Sequence, residues 1–275
     1  MESQMPFERE WDHMVVLDAA RFDVFRDTYS DFLEGELKPV RSNASATPEW
    51  VHKNFDGSMN IEYFSANPFI NSLDHPIDTP GNVRYSTVPS EHVREVHDLW
   101  DTHWDDESGT VLPKDVAQIY METETRGRTV IHFMQPHKPF LGHGSGGVLR
   151  EGFRQLKSTG EMSAFQRLTG RYGPAIADRV FRSSIVTEIG LLSGLDIRSM
   201  AKALGGDTRE VMMRYHRENM ERALARVENL VDNMDGSIVV TSDHGEAFGE
   251  QGVWGHDTET HIQPLVKVPW LSVTN

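Results

Sequence analysis

Ser237-Ile238-Val239-Val240-Thr241-Ser242-Asp243-His244-Gly245-Glu246 is the stretch whose reading decides the fold of this chain. Its first half is a short apolar, β-branched run bounded upstream by Asp235-Gly236, the pattern of a buried strand. The run ends on a carboxylate and an imidazole side by side. Gly245 and Gly249 then let a loop wrap around the strand tip. In α/β sheets, ligands collect at the carboxyl ends of strands. An Asp-His pair held there offers an oxygen and a neutral imidazole nitrogen to a divalent cation. Local sequence equally allows Asp243 to cap the following turn, with His244 tucked into the core.

A second apolar run, Met14-Val15-Val16-Leu17, also ends on a carboxylate, Asp18. Ala19 to Phe25 then reads as the start of a helix, with Phe22 and Phe25 on one face and Arg21 on another. Strands that neighbour each other in a parallel sheet would bring Asp18 and Asp243 together, and a cation would offset their repulsion. The plain alternative makes Asp18 the N-cap of its helix. A third segment, Arg41-Ser42-Asn43-Ala44-Ser45-Ala46-Thr47-Pro48-Glu49-Trp50-Val51, runs through small hydroxylated residues into a helix. Thr47 suits the N-cap and Pro48 the first helical position. A hydroxyl at a helix N-terminus beside a metal is a candidate nucleophile, because the metal lowers its pKa and the helix end favours an anion. An ordinary helix cap is the competing reading.

Strand-like runs at 14–18, 60–64, 83–88, 128–134, 237–242 and 267–272 alternate with helical stretches at 20–33, 48–55, 89–100, 114–125, 147–158 and 207–234. The last is the clearest, with Val211, Tyr215, Leu224, Val227, Leu230, Val231 and Met234 at helical spacing and Asp207 with Glu210 as a capping box. Such alternation predicts an α/β fold with a mostly parallel sheet flanked by helices, one domain over 1–275. Gly142-His143-Gly144-Ser145-Gly146-Gly147 lacks the Lys-Ser/Thr that completes a phosphate loop and reads as a flexible lid or linker.

Leu17-Asp18-Ala19-Ala20-Arg21-Phe22-Asp23, the hydroxyl-rich helix start, His132-Phe133-Met134-Gln135-Pro136-His137-Lys138-Pro139-Phe140 and Thr241 to Glu246 occur in this order. Together they resemble the alkaline phosphatase superfamily, in particular its sulfatase-like branch of sulfatases, phosphonate monoester hydrolases and phosphoethanolamine or phosphoglycerol transferases. The resemblance implies an alkaline-phosphatase-like three-layer α/β/α sandwich with a variable insertion around 141–206. It makes Asp18, Asp243 and His244 metal ligands and the nucleophilic hydroxyl a fourth. His137 takes the place of a histidine that contacts the ester, and His256 that of a substrate-binding histidine. Lys267-Val268-Pro269-Trp270-Leu271 resembles the strand that closes the family's site.

The chain also departs from the family. It has no Cys, Ala46 stands two residues before Pro48, and no Arg follows two residues after, so the motif that matures a formylglycine sulfatase is missing. The first strand carries Asp18-Ala19 where sulfatases have an Asp pair. Thr47 is the first choice of nucleophile, Ser45 the second and Ser42 the third. His132 lies within an apolar strand and reads as a core histidine, whereas His143 and His261 are loop residues that would bind substrate or a second cation.

Net charge is −15, from 42 acidic and 27 basic residues. It argues against nucleic acid and against a basic membrane-binding patch, and fits a high-salt cytoplasm. No run approaches the ~20 apolar residues of a membrane span, nor does the N-terminus read as a signal, so the expected location is cytoplasmic. The expected partner is a small anionic ester or a glycan-linked substrate. The expected activity is metal-dependent hydrolysis or transfer of phosphate mono- or diesters by a Thr or Ser nucleophile. Zn²⁺ or Mn²⁺ suits the mixed oxygen and nitrogen donors best, ahead of Mg²⁺ and Ca²⁺. A sulfuric-ester hydrolase and a degenerate family member that binds an anionic ligand are the alternatives.

Overall fold

The computed structural model describes residues 1–76, 85–142 and 206–274. Apolar runs become strands because only a sheet buries both of their faces. In chain order the elements are β1 (Glu2–Ser3), β2 (His13–Leu17), α1 (Phe22–Arg26), β3 (Gly35–Arg41), α2 (Thr47–Asn54), β4 (Met59–Ser65), β5 (Val93–Asp98), α3 (Leu99–Thr102), β6 (Trp104–Asp105), β7 (Thr110–Val111), α4 (Pro113–Glu122) and β8 (Arg128–Phe133). After them come α5 (Gly206–Val231), β9 (Ile238–Thr241), β10 (Ala247–Phe248), β11 (Trp254–Gly255), α6 (Gln263–Val266) and β12 (Lys267–Val273). The helix expected at 147–158, the glycine loop from His143 on, most of the segment 141–206 and the Asp207 side chain lie outside the described residues.

The main sheet has the order β1-β3-β12-β9-β2-β8-β4-β5. Its central strands are parallel, and β12 runs against both β3 and β9. Alternate residues of β2 divide between two cores, as the two-residue period of a strand requires. Val15 and Leu17 pack with Phe64, Ile131 and the α5 residues Leu224 and Val227. Met14 and Val16 pack on the other face with Tyr63, Val130, Val239 and the α2 residues Trp50 and Val51. Helices therefore cover both faces, giving the expected three-layer α/β fold. Each fully buried aliphatic side chain contributes about 1.5–3 kcal/mol to holding the layers together.

Register sets the position of the site. Val16 of β2 stands opposite Thr241 of β9, so two further steps bring Asp18 beside Asp243 at one edge of the sheet. The antiparallel β12 starts at that edge and ends at the other, where Val273 pairs with Gly35. Strand β1 lies at the site edge, its Glu2 opposite Val40 near the end of β3. Next to it, the buried Gln4 amide donates to Thr241 Oγ1 (2.9 Å) and to the Ser242 carbonyl (2.7 Å) and accepts from Trp50 Nε1 (3.1 Å).

Three sequence expectations are corrected. Residues 89–100 are no helix and 85–88 no strand: after a short turn at Pro89–Glu91 the chain enters β5 (Val93–Asp98) and then α3. Val93, Val96 and Trp100 imitate a helical stripe, but pairing with β4 at the sheet edge overrides that spacing. The helix expected at 20–33 is two short pieces, α1 and a turn at Tyr29–Asp31. The N–H groups of Ala19 and Ala20 are taken by Asp243 and Ser242, and the Thr28 hydroxyl bonds back to the Val24 carbonyl where α1 ends. Strand β3 was not anticipated, because charged residues and Pro39 disguise it. Pro39 stands opposite Pro269, so two residues without N–H share one rung.

Candidate active site

The tips of the parallel strands β2, β9 and β4 and the start of α2 converge on one buried cluster. Asp18 follows β2, with its N–H held by the Phe133 carbonyl (3.1 Å). Ala19 then takes a left-handed φ of 60°, which aims its N–H at Asp243 Oδ1 (3.2 Å). Asp243 and His244 follow β9, and the His244 N–H also binds Asp243 Oδ1 (2.9 Å). Gly245 permits the close approach of α6: a Cβ there would lie 2.0 Å from the Pro264 carbonyl oxygen. Thr47, at the first helical position of α2 behind Ala46 as N-cap, donates its hydroxyl to Asp243 Oδ2 (2.7 Å). Its oxygen is thus turned into the cluster and does not cap the helix.

His244 Nε2 lies 3.4 Å from Thr47 Oγ1, 3.4 Å from Asp243 Oδ2 and 3.6 Å from Asp18 Oδ1. The tautomer follows from the opposite side of the ring. Nδ1 is 2.8 Å from the Gly245 carbonyl, which only accepts, so Nδ1 carries the proton and Nε2 presents a lone pair. Asp18 Oδ1 is buried with no hydrogen-bond partner, and its Oδ2 accepts from Asn67 Nδ2 (2.6 Å). Burial and the neighbouring Asp243 push the Asp18 carboxyl well above the usual carboxylate range. Burial also acts to raise Asp243, but the imidazoles of His244 and His132 and the Thr47 hydroxyl outweigh it, and its carboxyl is held low. Two carboxylates, a hydroxyl and an imidazole lone pair facing one another with an orphaned oxygen among them fit a divalent cation.

Of the three hydroxyls weighed from sequence, Thr47 meets Asp243, Asp18's partner Asn67 and His244. Ser45 donates to Glu49 Oε2 (2.9 Å) and to the Asp257 carbonyl (2.7 Å) and accepts the Thr260 N–H (3.0 Å). It ties α2 to the segment carrying His256. Ser42 donates to the Asp243 carbonyl (2.6 Å). His256 and His137 stand at the mouth, ring centroids 5.0 Å apart, with His256 4.5 Å from His244. Glu246, which accepts from His256 Nδ1 (2.6 Å), is held far below the usual carboxyl range: burial opposes this, and His256, His137 and Lys138 override it. Ligand atoms of His137, Glu246 and His256 lie within 4.8 Å of one another. Burial drives His137 well below the usual imidazole range. Asn219 of α5 fixes the loop behind it by donating to the carbonyls of His137 and Pro139 and accepting the Leu141 N–H. His261 sits on the rim, hydrogen-bonded to Glu49 (2.7 Å); His143 lies outside the described residues.

Sequence reasoning missed Asn67, which also donates to Thr47 Oγ1 (3.2 Å), and gave Glu49 and Glu246 no role. Asn67 follows β4 as Asp18 follows β2, so the rule that picked out strand tips would have found it. His132 is a core histidine, as expected, but its Nε2 lies 3.9 Å from Asp243 Oδ2.

No protein-family model matches the chain, and no curated protein matches it. Solved structures do. An integral membrane lipooligosaccharide phosphoethanolamine transferase A from Neisseria meningitidis is 12% identical at a TM-score of 0.43, covering 94% of this chain and 47% of that one. The chain therefore spans about half the length of that protein. The phosphonate monoester hydrolase of Agrobacterium radiobacter is 14% identical at a TM-score of 0.49, over 94% and 67% of the two chains. The periplasmic domain of EptC from Escherichia coli, in complex with Zn, is 11% identical at a TM-score of 0.41, over 96% and 72%. A putative sulfatase from Bacteroides fragilis is likewise similar, 13% identical at a TM-score of 0.43, over 94% of this chain and 67% of that one.

These neighbours correct the expected partners. The sequence reading paired the chain with a small or glycan-linked ester away from membranes, whereas proteins of similar fold include an integral membrane lipooligosaccharide transferase. No helix among the described residues is long and apolar enough to cross a membrane. That observation does not set a compartment, and with periplasmic domains among the neighbours the cytoplasmic, high-salt expectation finds no support.

Proposed function

We propose that the chain is a metal-dependent phosphoesterase or phosphotransferase acting on phosphate mono- or diesters, with Thr47 as nucleophile. The observation that carries this reading is the Thr47 hydroxyl, 2.7 Å from Asp243 Oδ2 and 3.4 Å from the His244 Nε2 lone pair. Asp18, Thr47, Asp243 and His244 would hold one divalent cation, with Zn²⁺ or Mn²⁺ best matched to these donors. When bound, it supplies Lewis-acid stabilisation of the phosphoryl oxygens and lowers the pKa of the Thr47 hydroxyl.

The protein's own groups do the rest. Asn67 and Asp243 aim Oγ1 from two sides, so the nucleophile has no rotamer freedom to lose. Thr47 also stands in the first turn of α2, where the helix dipole favours an anion. With its proton lost to water, Oγ1 would bond to phosphorus as the bond from phosphorus to the leaving oxygen breaks. His256, braced through Nδ1 by Glu246, has Nε2 left to give a proton to that oxygen, with His137 beside it. Water or an acceptor hydroxyl then releases the phosphoryl group from Thr47.

The test is metal content of wild type and Asp243→Ala, followed by turnover of nitrophenyl phosphate monoester, diester and sulfate by wild type and Thr47→Ala. About one metal per chain, lost in Asp243→Ala, with phosphoester turnover that falls at least about a thousandfold in Thr47→Ala, supports the reading. A protein that binds no metal, or a Thr47→Ala variant as active as wild type, overturns it.

A further inference from the structure

Of the two imidazoles that face Asp243, His244 presents a bare nitrogen. His132 differs, and the difference can be read from what stands behind its ring. His132 is fully buried in β8, packed by the rings of Trp50 and Tyr63 (centroids 6.4 and 6.0 Å). Its Nδ1 lies 2.8 Å from the Tyr63 hydroxyl. Burial and the nearby Asp243 and Asp18 raise the Tyr63 phenol well above its usual range, so it keeps its proton. Among the described residues Nδ1 is the hydroxyl's hydrogen-bond partner, so Tyr63 donates and Nδ1 accepts. A neutral ring that accepts at Nδ1 carries its hydrogen on Nε2, and full burial favours the neutral ring. That Nε2–H is buried without a partner and faces Asp243 Oδ2 across 3.9 Å. Geometry alone groups His132 with Asp18 and Asp243 as ligands; the proton on Nε2 makes it a donor instead.

We propose that His132 is a positioning residue for the metal site: Tyr63 sets its tautomer, and its Nε2–H faces Asp243 Oδ2 and holds that carboxylate in orientation. The proposal rests on the metal-dependent reading above. Asp243 Oδ2 has the Thr47 hydroxyl as donor on one side. Asp243 Oδ1 is already served by the N–H groups of Ala19 and His244, and His244 Nε2 has no hydrogen to give. The His132 Nε2–H is therefore the remaining donor that faces Oδ2 and keeps the carboxylate from turning, the role outer-shell partners play for metal-bound carboxylates.

The experiment measures metal affinity directly, by competition of Zn²⁺ against a chromogenic chelator, in wild type, Asp243→Ala, His132→Leu, His132→Gln and Tyr63→Phe. Circular dichroism of each metal-free variant reports folding. A glutamine amide can place an N–H where Nε2–H stood, but the ring lone pair of a ligand would be lost. The expected result is a 10–100-fold loss of affinity in His132→Leu, recovery of most of it in His132→Gln, and a loss below about tenfold in Tyr63→Phe. His132→Gln as weak as His132→Leu would make His132 a ligand, and unchanged affinity in His132→Leu would leave it a core residue; either overturns the proposal. Should His132→Leu fail to fold, Tyr63→Phe decides, since it removes one oxygen: unchanged affinity there overturns the proposal too. Wild type that binds no Zn²⁺, like Asp243→Ala, instead sinks the metal reading itself.

Discussion

Asp18 and Asp243 show how much chemistry a single adjacency carries. Burial and the Asp243 charge raise the Asp18 carboxyl well above its usual 3.8. An acid whose folded pKa is raised binds its proton more tightly folded than unfolded. Its protonated form therefore favours folding at low pH, and that advantage is lost as pH rises from about 4 towards the raised value. A cation at the site removes the penalty. Thermal melts with and without chelator should show a stabilising gap that widens from pH 5 to pH 8, reaching roughly 5 °C or more at a hundredfold excess of metal over Kd. Asp18→Asn should raise the metal-free melting temperature at pH 7 and erase the gap, and a gap independent of pH would refute this account. Asp18, Asp243 and His244 were legible because each ends an apolar run, where a charged group is costly without a use. Asn67 carries no charge and His132 sits inside a strand, so their part emerges only from register.

Helix α2 and the segment after β11 act as one element pinned by Glu49. The Glu49 side chain is fully buried, accepting from Lys53, His261, the Ser45 hydroxyl and the N–H groups of Ser45 and Glu259. Burial would raise its carboxyl, but these donors bring it from 4.5 to about 2. A carboxyl lowered this far contributes on the order of 3 kcal/mol, complete above about pH 5 and lost as pH falls towards 2. Glu49→Gln should therefore lower the melting temperature near neutrality by several degrees and flatten the acid limb of the stability profile; an unchanged acid limb would exclude the linkage. Ser45→Ala should cost about 1–3 kcal/mol while Thr47 stays in place, measured as lower thermal stability with metal binding retained. Element existence was readable for β2, β4, β8, β9 and α2, whose patterns are long or sharply bounded. The reading failed at 89–100, where neighbouring β4 decided what local spacing could not.

For the whole molecule, a net charge of −15 opposes a phosphate ester approaching from solvent, while the site itself gathers histidines and donors that suit a cation. The long-range part is screened by salt, with a Debye length of about 30 Å at 0.01 M falling to about 3 Å at 1 M. Turnover of an anionic nitrophenyl phosphate should show kcat/KM rising several-fold over that range with kcat nearly constant. A falling kcat/KM would mean that the local positive field of the mouth governs capture. The alternation of strands and helices announced a parallel sheet, but the order of its strands and the reversal of β12 were not readable, since both depend on contacts between segments far apart in the chain.

The reversal of β12 and the latch of Gln4 decide which end of the sheet tolerates change. Strand β1, at the outer edge of the sheet, leads straight into the Gln4 side chain that braces Thr241, Ser242 and Trp50. Val273 emerges at the opposite rim, beside Gly35. A change that shortens Gln4 would therefore loosen the turn ahead of Asp243 from outside the site, whereas changes about Gly35 and Val273, at the far end of the sheet, would leave that turn untouched.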